Sequence, residues 1–197
     1  QTQSISNYIS GIILFDETLR QSTSGGKKFV DLLNDKDILP GIKVDKSTHP
    51  LPLSDGEVIT EGLDGLRKRL EEYLLLGAKF TKWRAVINIS DNFPSNYAIN
   101  VNSYHLALYA ALSQEVGLVP IVEPEVLMDG NHSVDQCAEV TTKTLKKVFS
   151  DLDDCNVYLP GIVLKPNMVL SGKDASHRAD SEQVAKSARR SLAGWKV

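Results

Sequence analysis

Cysteine is scarce. Only Cys137 and Cys155 occur in 197 residues, with no CxxC spacing, so a disulfide framework is excluded and both read as reduced packing residues in a cytosol-like compartment. No stretch approaches the roughly 20 consecutive apolar residues of a membrane span. The opening QTQSISNYIS carries neither the basic nor the apolar region of a secretory leader. Neither GxGxxG nor GxxxxGK[ST] occurs, which removes the usual phosphate loops of nucleotide-binding sheets. His49, His105, His132 and His177 form no HExxH or paired-ligand spacing, so no metal site is expected and most of them read as surface or cap residues. Ser171 and Gly172 sit in no GxSxG elbow and read as a surface loop. The formal charge is −3, with both signs interspersed, which argues against nucleic acid or a membrane surface as partner. A small anionic ligand stays compatible with that total.

What is present is one pattern repeated. Short apolar runs at 11–15, 41–45, 80–87, 119–125 and 161–167 are strand candidates. Helical patterns at 28–38, 61–78, 95–117 and 133–152 lie between them, and 180–190 follows the last. Ser133 and Gln136 have the spacing of a capping box, and Gly117 closes the third helical pattern. Alternating strands and helices, with strands apolar along their length, indicate a parallel sheet covered by helices. No linker or low-complexity segment divides residues 1–197, which read as one domain. Strand starts at 11, 41, 80, 119 and 161 give repeats of 30, 39, 39 and 42 residues. Eight such units need about 250 residues, so this length holds about five, and an open sheet and a barrel both remain.

Charge gathers at the strand ends. Lys43 and Asp45, Lys82 and Arg84, and Glu123 and Glu125 are i,i+2 pairs, and side chains two apart on a strand share a face. Trp83, between Lys82 and Arg84, is then expected on the opposite face, under the helices. Facing one axis, the pairs converge with Lys165 at the carboxyl ends of the strands, where α/β folds place their sites. Facing outward, each pair is an ordinary surface ion pair. Lys165 ends the run GIVLKPN. In an apolar, partly desolvated place, with Lys82 and Arg84 near, its cation is disfavoured, and the neutral amine can attack a carbonyl to form a Schiff base. Glu123 and Glu125 are candidates to shed water from the carbinolamine and move protons. The alternative is a lysine snorkelling to water.

The segments GIILFDETLRQ, PGIKVDKSTHPL, EGLDGLRKRLEEY, AKFTKWRAVI, GLVPIVEPEVLMDGNH and LPGIVLKPNMV, in this order from about residue 11 to about 190, resemble class I fructose-1,6-bisphosphate aldolases. The resemblance implies a (β/α)8 TIM barrel, α/β in class, of which the chain carries about five strands, the second to sixth. It implies reversible cleavage of fructose 1,6-bisphosphate to dihydroxyacetone phosphate and glyceraldehyde 3-phosphate through a lysine Schiff base, in glycolysis and gluconeogenesis, with no cofactor and no metal. Lys165 then matches the Schiff-base lysine, Glu123 the principal acid/base and Glu125 the second acidic residue. Lys82 matches the residue beside the imine, and Arg84 and Lys43 match substrate-binding residues. A phosphorylated sugar substrate, a cytoplasmic location and a homotetramer are implied in the same way.

Two departures are visible. Pro160 stands where the family has Glu, which predicts an adjusted loop. The first strand with its catalytic Asp and the phosphate-binding strands of the family have no counterpart in the sequence, and AGWKV does not continue as the family would. With no initiator Met as well, a barrel domain incomplete at both ends is expected, with further polypeptide on either side. Another lysine-imine barrel enzyme of the transaldolase kind, and a truncated barrel with a non-catalytic interaction role, are the alternatives.

Overall fold

The computed structural model describes residues 5–193, so the expectation about AGWKV lies almost wholly outside the described residues. Five strands, β1 (Gly11–Leu14), β2 (Leu39–Lys43), β5 (Phe80–Ile87), β6 (Val119–Val126) and β7 (Val163–Leu164), form one parallel sheet in the order β1-β2-β5-β6-β7. Between β2 and β5 stands a small antiparallel hairpin of β3 (Thr48–Pro50) and β4 (Val58–Thr60). The helices are α1 (Asp16–Arg20), α2 (Phe29–Asn34), α3 (Leu66–Leu75), α4 (Asn96–Glu115), α5 (Val134–Asp154) and α6 (Ser181–Leu192).

The strand order decides between the two architectures left open by the repeat. A doubly wound sheet reverses its order at a switch point. Here every strand of the sheet lies beside the one before it in the chain, as around a barrel wall. Along β5, Thr81, Trp83, Ala85 and Ile87 are buried while Phe80, Lys82, Arg84 and Val86 are only partly covered. The first set packs under the helices: Trp83 is fully buried and stacks on Tyr109 of α4 with ring centroids 5.4 Å apart. Tyr109 Oη donates to the carbonyl of Ile121 at 3.0 Å, fastening α4 to β6. The main core joins Ile42, Trp83, Ala85 and Val122 of the sheet to Leu66 and Leu70 of α3, Leu106 and Ala110 of α4, and Leu145 and Val148 of α5. The opposite face of the sheet stays open, with Ile13, Leu39, Val119 and Val163 each 42–50% exposed.

Local chemistry explains the boundaries. Ser133 and Gln136 form the full capping box that opens α5. Gly117, just past α4, has φ of +85°, a conformation costly for residues with a Cβ. Four expectations are corrected. The helix expected over 61–78 starts only at Leu66, because Gly62 and Gly65 adopt φ of +128° and +65° and form a turn. The helical pattern at 28–38 gives only the short α2, ending at Asn34 before a turn with Asp37 at φ of +55°. The strand expected over 161–167 is only two residues long, preceded by a 3-10 turn at Leu159–Gly161 that accommodates Pro160. The supposed surface loop at Ser171 begins inside: Ser171 is buried, and Gly172 N donates to the carbonyl of His132 at 2.8 Å. A Cβ on Gly172 would stand 2.2 Å from the Gly130 carbonyl oxygen, so glycine permits this approach. His132 itself is buried, and the 170–172 segment lies against it.

Candidate active site

The register aligns the charged residues across neighbouring strands: Lys43 of β2 stands beside Lys82 of β5, and Arg84 of β5 beside Glu123 of β6. Val122 pairs with Leu164, so the next residues along, Glu123 and Lys165, come together where β6 and β7 part. Parallel pairing with this stagger therefore brings the charges of four strands together.

At its centre is a triad of two cations and one carboxylate. Glu123, only 5% exposed in its side chain, receives a short hydrogen bond on Oε1 from Lys165 Nζ, and Lys82 Nζ lies 2.8 Å from its Oε2. Burial by itself would raise the Glu123 carboxyl, but the ammonium groups of Lys165 and Lys82 outweigh it and hold the group below its ordinary value of 4.5. Two flanking pairs stand beside the triad. Arg84 binds Glu125 through a short contact, with both side chains partly open to solvent. Lys43 binds Asp45, whose side chain is 3% exposed. Phe15 stands over Lys43 Nζ, 6.0 Å from the ring centroid.

All six expected residues are thus joined in three ion-paired groups; Lys43 ends β2 and Lys165 follows β7, while Lys82 is an early residue of the longer β5. One expectation fails. Lys165 was to sit in an apolar, desolvated place, yet its side chain is 56% exposed, because β7 is the last strand of the described sheet and covers it on one side only. Asp45 does more than its pairing with Lys43 suggested: it also accepts from the backbone N–H of Ser47 at 3.2 Å and of Arg84 at 3.4 Å, tying the exit of β2 to β5. Thr60 of β4 donates its hydroxyl to the Arg84 carbonyl at 2.8 Å and is itself held by Asn102 of α4, so the hairpin braces the end of β5. No periodicity flags either contact. For Asp45, the one available signal is its i,i+2 distance from Lys43.

The Glu123 shift makes a prediction about acid stability. A lowered folded-state carboxyl contributes stability that is complete above the unfolded chain's 4.5 and is lost as pH falls through the folded value. Glu123→Gln removes that titration and leaves Lys82 and Lys165 without their carboxylate. The Tm difference between the unsubstituted protein and the variant should therefore be largest above pH 4.5 and shrink below it. A difference that stays constant from about pH 6 to about pH 3 would remove Glu123 from the acid limb.

Comparison with known proteins adds an independent line. The family model "Fructose-bisphosphate aldolase class-I" matches residues 1–194. A probable fructose-bisphosphate aldolase class 1 of Xanthomonas axonopodis pv. citri is 56% identical over 186 residues, covering 94% of this chain and 56% of that protein. Fructose-bisphosphate aldolase 4, cytosolic, of Arabidopsis thaliana is 52% identical over 185 residues, covering 94% of this chain and 47% of that one. Among solved structures, the fructose-bisphosphate aldolase from Plasmodium falciparum, in complex with TRAP and a small molecule inhibitor, superposes with a TM-score of 0.95 at 44% identity over 98% of this chain and 56% of that chain. The chain thus spans about half the length of the curated relatives it matches.

Proposed function

The chain belongs to the class I fructose-bisphosphate aldolase family, and from that premise we propose that it carries the imine-forming part of an aldolase site that cleaves fructose 1,6-bisphosphate reversibly to dihydroxyacetone phosphate and glyceraldehyde 3-phosphate. The observation that carries this reading is the Lys82–Glu123–Lys165 triad. Lys165 is the nucleophile. It must lose a proton before it can attack the ketose carbonyl, and Glu123, already hydrogen-bonded to its Nζ, is the base within reach. The same carboxyl, now protonated, returns its proton to the carbinolamine oxygen, water leaves, and the protonated imine forms. That cation accepts the electron pair released when the bond between the third and fourth sugar carbons breaks, giving an enamine that is reprotonated and hydrolysed.

Lys82, on the other oxygen of Glu123, stands beside the imine and disfavours a second cation there. Arg84 and Lys43 bind the anionic sugar phosphate, and Glu125, paired with Arg84, is the second acidic group. The base for the sugar hydroxyl and further phosphate ligands belong, by the family pattern, to segments not represented in residues 1–197. The open sheet face supports one barrel domain to which further strands contribute. A cytoplasmic setting follows the naming of the Arabidopsis relative as cytosolic, and no described helix is long and apolar enough to cross a membrane. A homotetramer belongs to the same reading by family resemblance.

The test is cleavage of fructose 1,6-bisphosphate by the protein at the full length its gene encodes, with and without EDTA. Equal activity in both is expected, since the imine supplies the electron sink that a Lewis acid would otherwise provide. Loss in EDTA that zinc restores, or no cleavage at all, would overturn the assignment.

A further inference from the structure

Lys165 sits where the β6–β7 ladder fails. In a parallel pair, a residue donates to one neighbour across the gap and accepts from the residue two further along. Lys165 N donates to the Val122 carbonyl at 2.9 Å. The return bond would come from the N–H of residue 124, which is Pro124. Proline has no N–H to give. Backbone pairing between the two strands therefore stops at the residue that bears the ammonium group.

Asn167 takes up the connection with its side chain. Its Oδ1 accepts from the N–H of Val126, at the end of β6, at 3.4 Å. Its Nδ2 donates to Thr141 Oγ1 of α5 at 3.0 Å and to the carbonyl of Met168 at 3.1 Å. Thr141 is buried in α5, so the amide is anchored to the helix layer as well as to the sheet.

We propose that Asn167 is a positioning residue that holds Lys165 against Glu123, by replacing with a side-chain bridge the strand pairing that Pro124 interrupts. Among the described residues, no backbone bond ties residues 166–167 to β6, so without the bridge an exposed lysine stem would no longer be directed to one carboxylate oxygen. The charged groups concerned are Lys165 and Lys82, which share Glu123. That the held lysine forms an imine rests on the proposed function; that it is held does not.

The experiment compares Asn167→Ala with the unsubstituted full-length protein in two readouts. NMR of the glutamate carboxyl carbons should show the Glu123 titration moving up by about one pH unit as Lys165 withdraws. Borohydride trapping of dihydroxyacetone phosphate at Lys165 should slow about 10- to 100-fold. Asn167→Asp keeps an acceptor for Val126 N and should restore most of both, which a merely structural role would not require. Should the Ala variant not fold, Thr141→Val weakens the anchor on α5, leaving the longer contact with Cys137 Sγ, and should move the Glu123 titration in the same direction by a smaller amount. An unchanged Glu123 titration in the folded variant overturns the proposal. If the unsubstituted protein is trapped at another lysine while Glu123 still shifts in Asn167→Ala, the positioning stands and the imine assignment falls.

Discussion

Borohydride added to the full-length protein with dihydroxyacetone phosphate should add the mass of the reduced substrate to the peptide that contains Lys165, and Lys165→Met should abolish both the label and aldol cleavage. Methionine keeps a flexible apolar stem of similar length and removes the amine. Because the Lys165 side chain is 56% exposed and Glu123 retains Lys82, the loss of one ion pair should leave the fold in place. The rate effect should be of another order: without the nucleophile no imine forms, the electron sink is gone, and activity should fall by about 10⁴-fold or more, the scale on which removal of a covalent nucleophile acts. Labelling at Lys82 or Lys43 would reassign the nucleophile within the same site. An active Lys165→Met variant would end the Schiff-base reading altogether.

Glu123→Gln should slow turnover by about 10²- to 10⁴-fold with a much smaller change in KM, the range that a positioned acid/base contributes. The amide fits the same space and keeps one acceptor oxygen for the two ammonium groups, but it can neither take the proton from Lys165 nor return it to the carbinolamine oxygen. The defect should therefore appear in the formation and breakdown of the covalent intermediate, measured by single-turnover trapping. Unchanged turnover would transfer the role to Glu125. That residue is partly exposed and committed to Arg84.

The elements legible in the sequence are those built on strong periodicity or a cap. β5, with alternating burial from Phe80 to Ile87, and α5, with its Ser133 capping box, lie close to where the pattern puts them. So do the charged pairs, since an i,i+2 spacing fixes a common face whatever the tertiary structure. What escaped the reading depends on contacts distant in sequence or on backbone angles. The hairpin Thr48–Pro50 and Val58–Thr60 has three-residue strands, one of them wholly exposed, so no hydrophobic alternation marks it. The turn at Gly62 and Gly65 occupies positions where a helical pattern is otherwise unbroken. β7 is cut short at Lys165, whose return bond would have to come from Pro124 of β6, a relation that only the register makes visible. His132 is buried where the 170–172 segment folds back against it.

The unbroken order β1-β2-β5-β6-β7 also bears on how the chain is made. Each strand finds its partner in the unit that left the ribosome just before it, so the wall can grow by successive docking, with no need to hold an early edge open for a late arrival. Each pairing still has to close a crossover that includes a helix, and parallel pairing of this kind forms slowly. Glu123 emerges well before Lys165 and meets Lys82 first, across the β5–β6 pair already formed. The nascent cluster would therefore pass through a stage in which its central carboxylate is neutralised by one lysine alone, and Lys165 is delivered last, once the whole of α5 has been laid down.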